Sequence, residues 1–361
     1  MWKESNYSKA QIDKAGKAII NPYLTKEERQ KVLAIIDNWR AAHAYPMNTF
    51  AINLKKKVAD IPEAIVAQRL KRLDTIVDKL DRFPEMQLSR MQDLGGCRVI
   101  VPTVQDVYKV RDNIVKSRIR HKLHNEKDYI KTPNPDTGYR GIHLIYRYKS
   151  DRNQKYNGLL TEIQIRTKLQ HLWATAVETV GTFTKNGLKF NQGSEDWLMF
   201  FKLVAALFAV EEGTTMPSNI NDSPFELSYE IAQYIYKLNF AEKIITIALV
   251  SSSFKSWKKR IVNKNQSGYF LLVLNMDKKN LSVRYFEPTE HQINEAIQQY
   301  AKIESRKTEN MDAVLVSAQS IDALQKAYPN YFVNISDFAN ELFTLIKKYA
   351  DSVLKDLYAK L

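Results

Sequence analysis

The run Thr161-Glu162-Ile163-Gln164-Ile165-Arg166 alternates strictly between polar and apolar side chains, which makes it a strand with two unlike faces. Ile163 and Ile165 point to one side, and Glu162, Gln164 and Arg166 to the other. A carboxylate, an amide and a guanidinium in one row mark a candidate site. Upstream, Asp93-Leu94-Gly95-Gly96-Cys97-Arg98-Val99-Ile100-Val101 sets an Asp, two glycines and an Arg ahead of a β-branched strand. Two acids presented from neighbouring strands suit a magnesium-dependent attack on a nucleotide phosphate.

The chain has 361 residues, enough for a sizeable core and two domains. Its formal net charge of +14 favours nucleotides or RNA as partners, because phosphate is the commonest counter-charge for such an excess. The same excess also serves solubility. The single cysteine, Cys97, excludes an internal disulfide and a four-cysteine zinc site, and its place in an apolar strand reads as core. No apolar run is long enough for a membrane span and the first residues are not signal-like, so a cytoplasmic protein is expected.

Helical spacing runs through 8–20, 25–43 and 63–82, and Thr25 with Glu28 forms a capping box. Then come a strand (97–102), a helix (104–118), a loop rich in Asn, Pro, Asp and Gly (124–141), two strands (141–148 and 159–166) and a helix (167–181). This predicts an α+β fold, a mixed sheet flanked by helices. An apolar helix (195–213) leads to 214–224, whose prolines and glycine mark a hinge between a first unit, 1–213, and a second, 225–361. The second unit reads as a hairpin (269–276 and 281–287), a helix (289–305), a strand (312–317) and a terminal helix (336–358).

In the helix before the first strand, Lys71, Thr75, Lys79 and Arg82 make a basic stripe opposite Leu73, Ile76, Val77 and Leu80. Such a stripe is either a solvated face or a triphosphate clamp, with Arg69 as a further cation. Asp93 is a metal ligand or the cap of a turn. Arg98 shares a side with Ile100, so its burial demands an anion, either a bound phosphate or an internal carboxylate. The loop from Asp128 through Tyr139-Arg140-Gly141-Ile142-His143 suits a nucleobase stacked on Tyr139, with phosphates met by Lys131, Arg140 and His143. Its alternative is an ordinary connection with a packed tyrosine. His171 follows on the next helix without a second His or Cys at metal-ligand spacing. The chain has neither a His-Asp pair nor a P-loop.

In order, Arg69-Leu70-Lys71-Arg72-Leu73-Asp74-Thr75 with Lys79, Asp93 to Val99, Asp128 to His143, and Glu162 to Thr167 resemble the RelA/SpoT synthetase domain over residues 60–180. That family is nucleotidyltransferase-like and moves pyrophosphate from ATP to a ribose 3′-hydroxyl. The resemblance implies ATP binding by Arg69, Lys71, Thr75, Lys79 and Arg98, and magnesium at Asp93. It implies acceptor stacking on Tyr139, and for Glu162 the part of second metal ligand or of base. Lys131, Arg140, His143, Gln164, Arg166 and His171 would order the acceptor. Two departures stand out: Thr75 where the family usually has Ser, and Asn134-Pro135-Asp136-Thr137 where a basic residue is common.

The extra length resembles the toxic branch of small synthetases, and within it the fused toxin-antitoxin, CapRel-like members. That resemblance implies the tRNA 3′ end as acceptor, arrested translation, and a C-terminal domain like a zinc finger without zinc. It further implies inhibition by this domain until a phage protein is sensed, with Tyr328 or Tyr331 entering the ATP pocket. Two other readings compete: a guanosine tetra- or pentaphosphate synthetase acting on GDP or GTP, and an RNA-binding module without catalysis. Neither membrane nor DNA is an expected partner.

Overall fold

The computed structural model describes residues 2–184, 195–240, 267–275, 280–306, 311–318, 320–327 and 335–360. Helices α1 (Lys9–Ile19) and α2 (Lys26–Ala42) begin in capping boxes, Ser8 with Gln11 and Thr25 with Glu28. Helix α3 (Ala44–Lys57) follows after His43 alone. Residues 63–82 do not form the single helix their spacing predicts. They divide into strand β1 (Ile65–Leu70) and helix α4 (Leu73–Arg82). Val66 and Leu70 enter one core and Ala67 the other, and β1 is paired on both edges, so tertiary pairing overrides the helical pattern.

Strand β2 (Gly95–Val101), helix α5 (Val104–Val115), strands β4 (Ile142–Arg147) and β5 (Leu160–Thr167) and helix α6 (Lys168–Thr184) closely follow the sequence pattern. Strand β3 (Lys122–Asp128) lies partly where a loop is expected. Its polar sequence is that of an exposed edge strand. The later elements are α7 (Glu195–Glu211), α8 (Pro224–Lys237), the antiparallel pair β6 (Gly268–Asn275) and β7 (Asn280–Phe286), α9 (Glu290–Glu304), β8 (Met311–Ala318), α10 (Ile321–Ala327) and α11 (Ser336–Lys360).

The described strands form one eight-stranded sheet in the order β3-β4-β5-β2-β1-β8-β6-β7. Only the β2/β5 pair is parallel, so the expected mixed sheet is present. The described strands of the expected second unit, 225–361, belong to this same sheet. Beyond the 214–224 segment, β6, β7 and β8 extend the same sheet through Gln68↔Ser317 and Arg69↔Val316. The Gln68 amide adds a hydrogen bond to the Tyr269 hydroxyl at 2.9 Å. An uncovered β1 would present an unpaired edge with apolar groups on both faces, and β8 closes it. The 214–224 segment is itself anchored, with Pro217 and Ile220 buried.

Helices α1, α2, α3, α5 and α9 cover one face, over Cys97, Val99, Ile163, Ile165, Leu271 and Leu315. Cys97 is core, as expected. Helices α6, α7, α8, α10 and α11 cover the other, over Ala67, Ile100, Phe270, Leu272, Val314 and Val316. No described helix is long and apolar enough to cross a membrane. Because both cores draw on residues after 224, a chain ending there should lose its cooperative thermal transition by circular dichroism. A truncated chain that melts at the full-length midpoint would contradict the shared-core architecture.

Candidate active site

A cavity of about 920 Å³ opens on the second face of the sheet, where the helical cover gives way to charge. The register builds it. Gly96 lies beside Glu162, Arg98 beside Gln164 and Ile100 beside Arg166 across the parallel pair, and His143 faces Gln164 from β4. Arg69 faces Gly96 from β1. Two-residue alternation therefore brings Arg69, Arg98, His143, Glu162, Gln164 and Arg166 to one side.

One half of the cavity is a cationic cradle around Asp93. Lys71 Nζ reaches Asp93 Oδ2 at 2.8 Å and Lys79 Nζ reaches Oδ1 at 3.1 Å. Lys71 is fixed by its own backbone N–H, which donates to the Leu94 carbonyl at 2.9 Å. Burial pushes the Asp93 carboxyl up, yet the two ammonium groups hold it below its ordinary value against the repulsion of Glu162. Arg69, Arg72, Thr75 and Arg98 also line this half. The Thr75 hydroxyl donates to the Arg72 carbonyl at 2.9 Å, and Arg98 Nη1 donates to the Ala327 carbonyl at the end of α10, 2.8 Å away.

The other half is a relay of hydrogen bonds around Glu162. His143 Nδ1 lies 2.9 Å from Glu162 Oε1, and the Gln164 amide donates to Oε2 at 2.8 Å. Arg166 Nη2 donates to Gln164 Oε1 and its Nε to the Tyr139 hydroxyl, each at 3.0 Å. The Arg166 guanidinium also sits 5.0 Å from the centre of the Tyr139 ring. Burial opposes a charge on His143, but Tyr139 and Glu162 outweigh it and raise its pKa to about 9. The imidazolium then donates from both nitrogens, to Glu162 and, over 2.6 Å, to the Tyr139 oxygen. Burial would raise the Glu162 pKa, whereas His143 and the Gln164 amide hold it far below the usual carboxylate range. Tyr139 is likewise lowered, with Arg166 and His143 overcoming its burial.

Three expected acceptor residues lie elsewhere. The Lys131 side chain is 75% exposed and leans toward Asp128 and the Tyr108 ring rather than the cavity. Arg140 is buried on Glu212 at 2.5 Å and on the Thr214 hydroxyl at 2.9 Å, so its anion is an internal carboxylate and not a phosphate. His171 is buried in α6 and does not line the cavity. Gly138 explains part of this layout. It turns the loop at φ 77°, and a Cβ there would stand 2.8 Å from Ala205 of α7, so the loop is seated against that helix. Tyr328 and Tyr331 lie outside the described residues. Sequence reading gave no site role to Arg72, Lys127, Tyr129, Trp173 and Glu178, which also line the cavity. Lys127 was within reach of alternation, since it faces His143 once β3 is recognised as a strand.

Among the described residues no group of three or more His, Cys, Asp and Glu is placed to hold a metal. Asp93 and Glu162 close enough to repel each other, both ionised, nevertheless fit a hard divalent cation that draws its remaining ligands from phosphate oxygens and water.

Residues 68–185 match the region found in RelA / SpoT proteins. The chain is 34% identical over 113 residues to GTP pyrophosphokinase YwaC of Bacillus subtilis (strain 168), covering 30% of this chain and 52% of that protein. It is 31% identical over 116 residues to GTP pyrophosphokinase YjbM of the same organism, covering 32% of this chain and 54% of that protein. The chain thus spans about half the length of the curated relatives it matches. The small alarmone synthetase 1 structure from Bacillus subtilis aligns with a TM-score of 0.42 at 20% identity, over 49% of this chain and 92% of that one. Residues 68–185 include Arg69, Lys71, Lys79, Asp93, Arg98, Tyr139, His143, Glu162, Gln164 and Arg166 of the cavity lining.

Two outcomes follow for stability. His143 is easier to protonate in the fold than in the unfolded chain, where its value is 6.5, so its contribution is complete below that pH and fades as pH rises through about 9. Metal-free protein should therefore lose melting temperature on the alkaline side, and His143→Gln should flatten that limb; an unchanged limb would contradict the charged pair. Arg140→Met strands Glu212 and should cost roughly 3 kcal/mol in denaturant unfolding, whereas a cost near zero would show that the pair carries no stability.

Proposed function

We propose that the protein transfers pyrophosphate from ATP to the 3′-hydroxyl of an acceptor ribose. The supporting observation is the cavity's division within the RelA/SpoT-matching stretch. Asp93, Lys71 and Lys79 form one half, and Glu162, His143, Gln164, Arg166 and Tyr139 the other. Asp93 and Glu162 would hold magnesium, which when bound supplies positive charge across the phosphates. Lys71, Lys79, Arg69 and Arg98 would bind the triphosphate, and Thr75 the edge of the same subsite.

The acceptor 3′-oxygen attacks the β-phosphorus, the bond from that phosphorus to the bridging oxygen on the α-phosphate breaks, and AMP leaves with the electron pair. The hydroxyl proton passes to the Glu162 carboxylate and on to water. Phosphoryl transfer of this kind places little demand on a base, which suits a carboxylate that stays ionised. Its main work is to orient the hydroxyl, with His143 and Gln164 fixing its two oxygens. Tyr129 and Tyr139, with ring centres 5.4 Å apart, would receive the acceptor base.

The acceptor in this reading is the 3′ end of tRNA, whose modification would halt translation. Support comes from the net charge of +14 and from exposed Lys127 at the cavity, which suit a polyanion extending outward. The alternative acceptor is GDP or GTP, and the names of the relatives favour it. Restraint by the C-terminal half finds support in the Arg98 contact with Ala327; a phage protein as its releasing partner, in an anti-phage role, belongs to the same proposal and rests on the resemblance alone.

The test offers γ-labelled ATP and magnesium to bulk tRNA and, separately, to GDP and GTP. Label should reach tRNA and fall at least ~100-fold in Glu162→Gln and in Asp93→Asn. Label on guanine nucleotide alone would replace the acceptor, and full transfer by folded Glu162→Gln would overturn the assignment of the site.

A further inference from the structure

Helix α4, which carries Thr75 and Lys79, begins without a side-chain cap of its own: Arg72 occupies the cap position and makes no capping bond. The cap comes from the far end of the chain. Glu304, the last residue of α9, accepts the Leu73 backbone N–H on Oε1 at 2.9 Å, across 231 positions of sequence. Its other oxygen lies 2.7 Å from Arg40 Nη2, and both side chains are almost fully buried, at 2% and 3% exposure. Arg40 Nε donates in turn to the Lys71 carbonyl at 3.1 Å, and the Tyr300 hydroxyl donates to Glu304 Oε1 at 2.8 Å. The two residues that flank Arg72 are therefore held by one buried ion pair, Lys71 through its carbonyl and Leu73 through its N–H.

From this geometry we infer that Glu304 and Arg40 are positioning residues for the ATP-side cations. The inference rests on the pyrophosphate-transfer reading and deepens it. A carboxylate at a helix start satisfies an otherwise orphaned donor and favours the positive end of the helix dipole. Here that helix brings Lys79 to Asp93, while the Arg40 bond fixes the residue that brings Lys71 to the same carboxylate. The cradle for a triphosphate thus has two registers, the start of α4 and the Lys71 backbone, and both are set by Glu304 and Arg40. Glu304 lies well outside residues 68–185, so part of the donor subsite's geometry is supplied by the half of the chain that carries no match to the RelA/SpoT region. Neither residue touches the cavity, which is why their effect should appear in ATP binding and not in the chemical step.

The test compares full-length wild type with Arg40→Met/Glu304→Leu and with Glu304→Gln. The double variant removes both buried charges at once, and Asp37, the other carboxylate on Arg40 at 2.8 Å, is partly exposed and turns to water. The conservative variant keeps an acceptor for Leu73. Amide exchange should accelerate roughly tenfold in residues 72–80 of the double variant, with β2 and β5 unchanged, the scale of one lost charge-assisted bond. The KM for ATP should rise about tenfold while kcat and the acceptor KM stay within about twofold, and Glu304→Gln should fall between. Unchanged exchange in 72–80, or an unchanged ATP KM, in a folded variant would overturn the inference. If the wild type transfers nothing to any acceptor, the functional reading fails, and the exchange result alone decides whether Glu304 positions α4.

Discussion

An ionised carboxylate on a largely enclosed sheet face is the constraint around which the site is organised. Glu162 cannot keep its charge there unless neighbours compensate it. His143, Gln164, Arg166 and Tyr139 form one chain of donors that ends at that carboxylate. The same demand recurs at Asp93, where two ammonium groups take the place of imidazolium and amide. Each acid has its own cationic partners, so the two can stand near each other without sharing a proton. That separation divides the cavity into a half around Asp93 and a half around Glu162, which the proposed reading uses as its phosphate and acceptor sides.

The parallel β2/β5 pairing turns this demand into geometry, because its register sets Arg98 beside Gln164 and Gly96 beside Glu162. Apolar side chains occupy the same face farther along the sheet, on β8 and β6, where α7, α10 and α11 cover it. The C-terminal strands therefore continue the layer that carries the site. Two helices of the C-terminal half also reach the site, α10 at Arg98 through the Ala327 carbonyl and α9 at the start of α4 through Glu304. A change in how this half packs would be felt first at Arg98 and at the start of α4.

Period-two alternation made β5, β2 and β4 legible, and with them Asp93, Glu162, Gln164 and Arg166 as cavity residues. It failed where tertiary pairing decides the outcome. Ile65–Leu70 carries helix-compatible spacing and becomes a strand because partners flank it on both edges. Lys122–Asp128 is too polar to read as a strand, and with it Lys127 escaped notice. Arg140 and Tyr139 are adjacent in an irregular loop, where no periodicity says which one faces the cavity. The partner that claims Arg140, Glu212, is 72 residues away, and nothing local announces it. The single sheet was hidden for the same reason, since its halves join through two residue pairs of β1 and β8.

The most direct measurement is the fate of the adenine nucleotide, followed by ³¹P NMR in a reaction of ATP, magnesium and acceptor. Pyrophosphate transfer predicts one AMP released for each acceptor that gains a diphosphate on its 3′-oxygen, with no accumulation of ADP. ADP with a singly phosphorylated acceptor, or ATP breakdown with no modified acceptor, would contradict it.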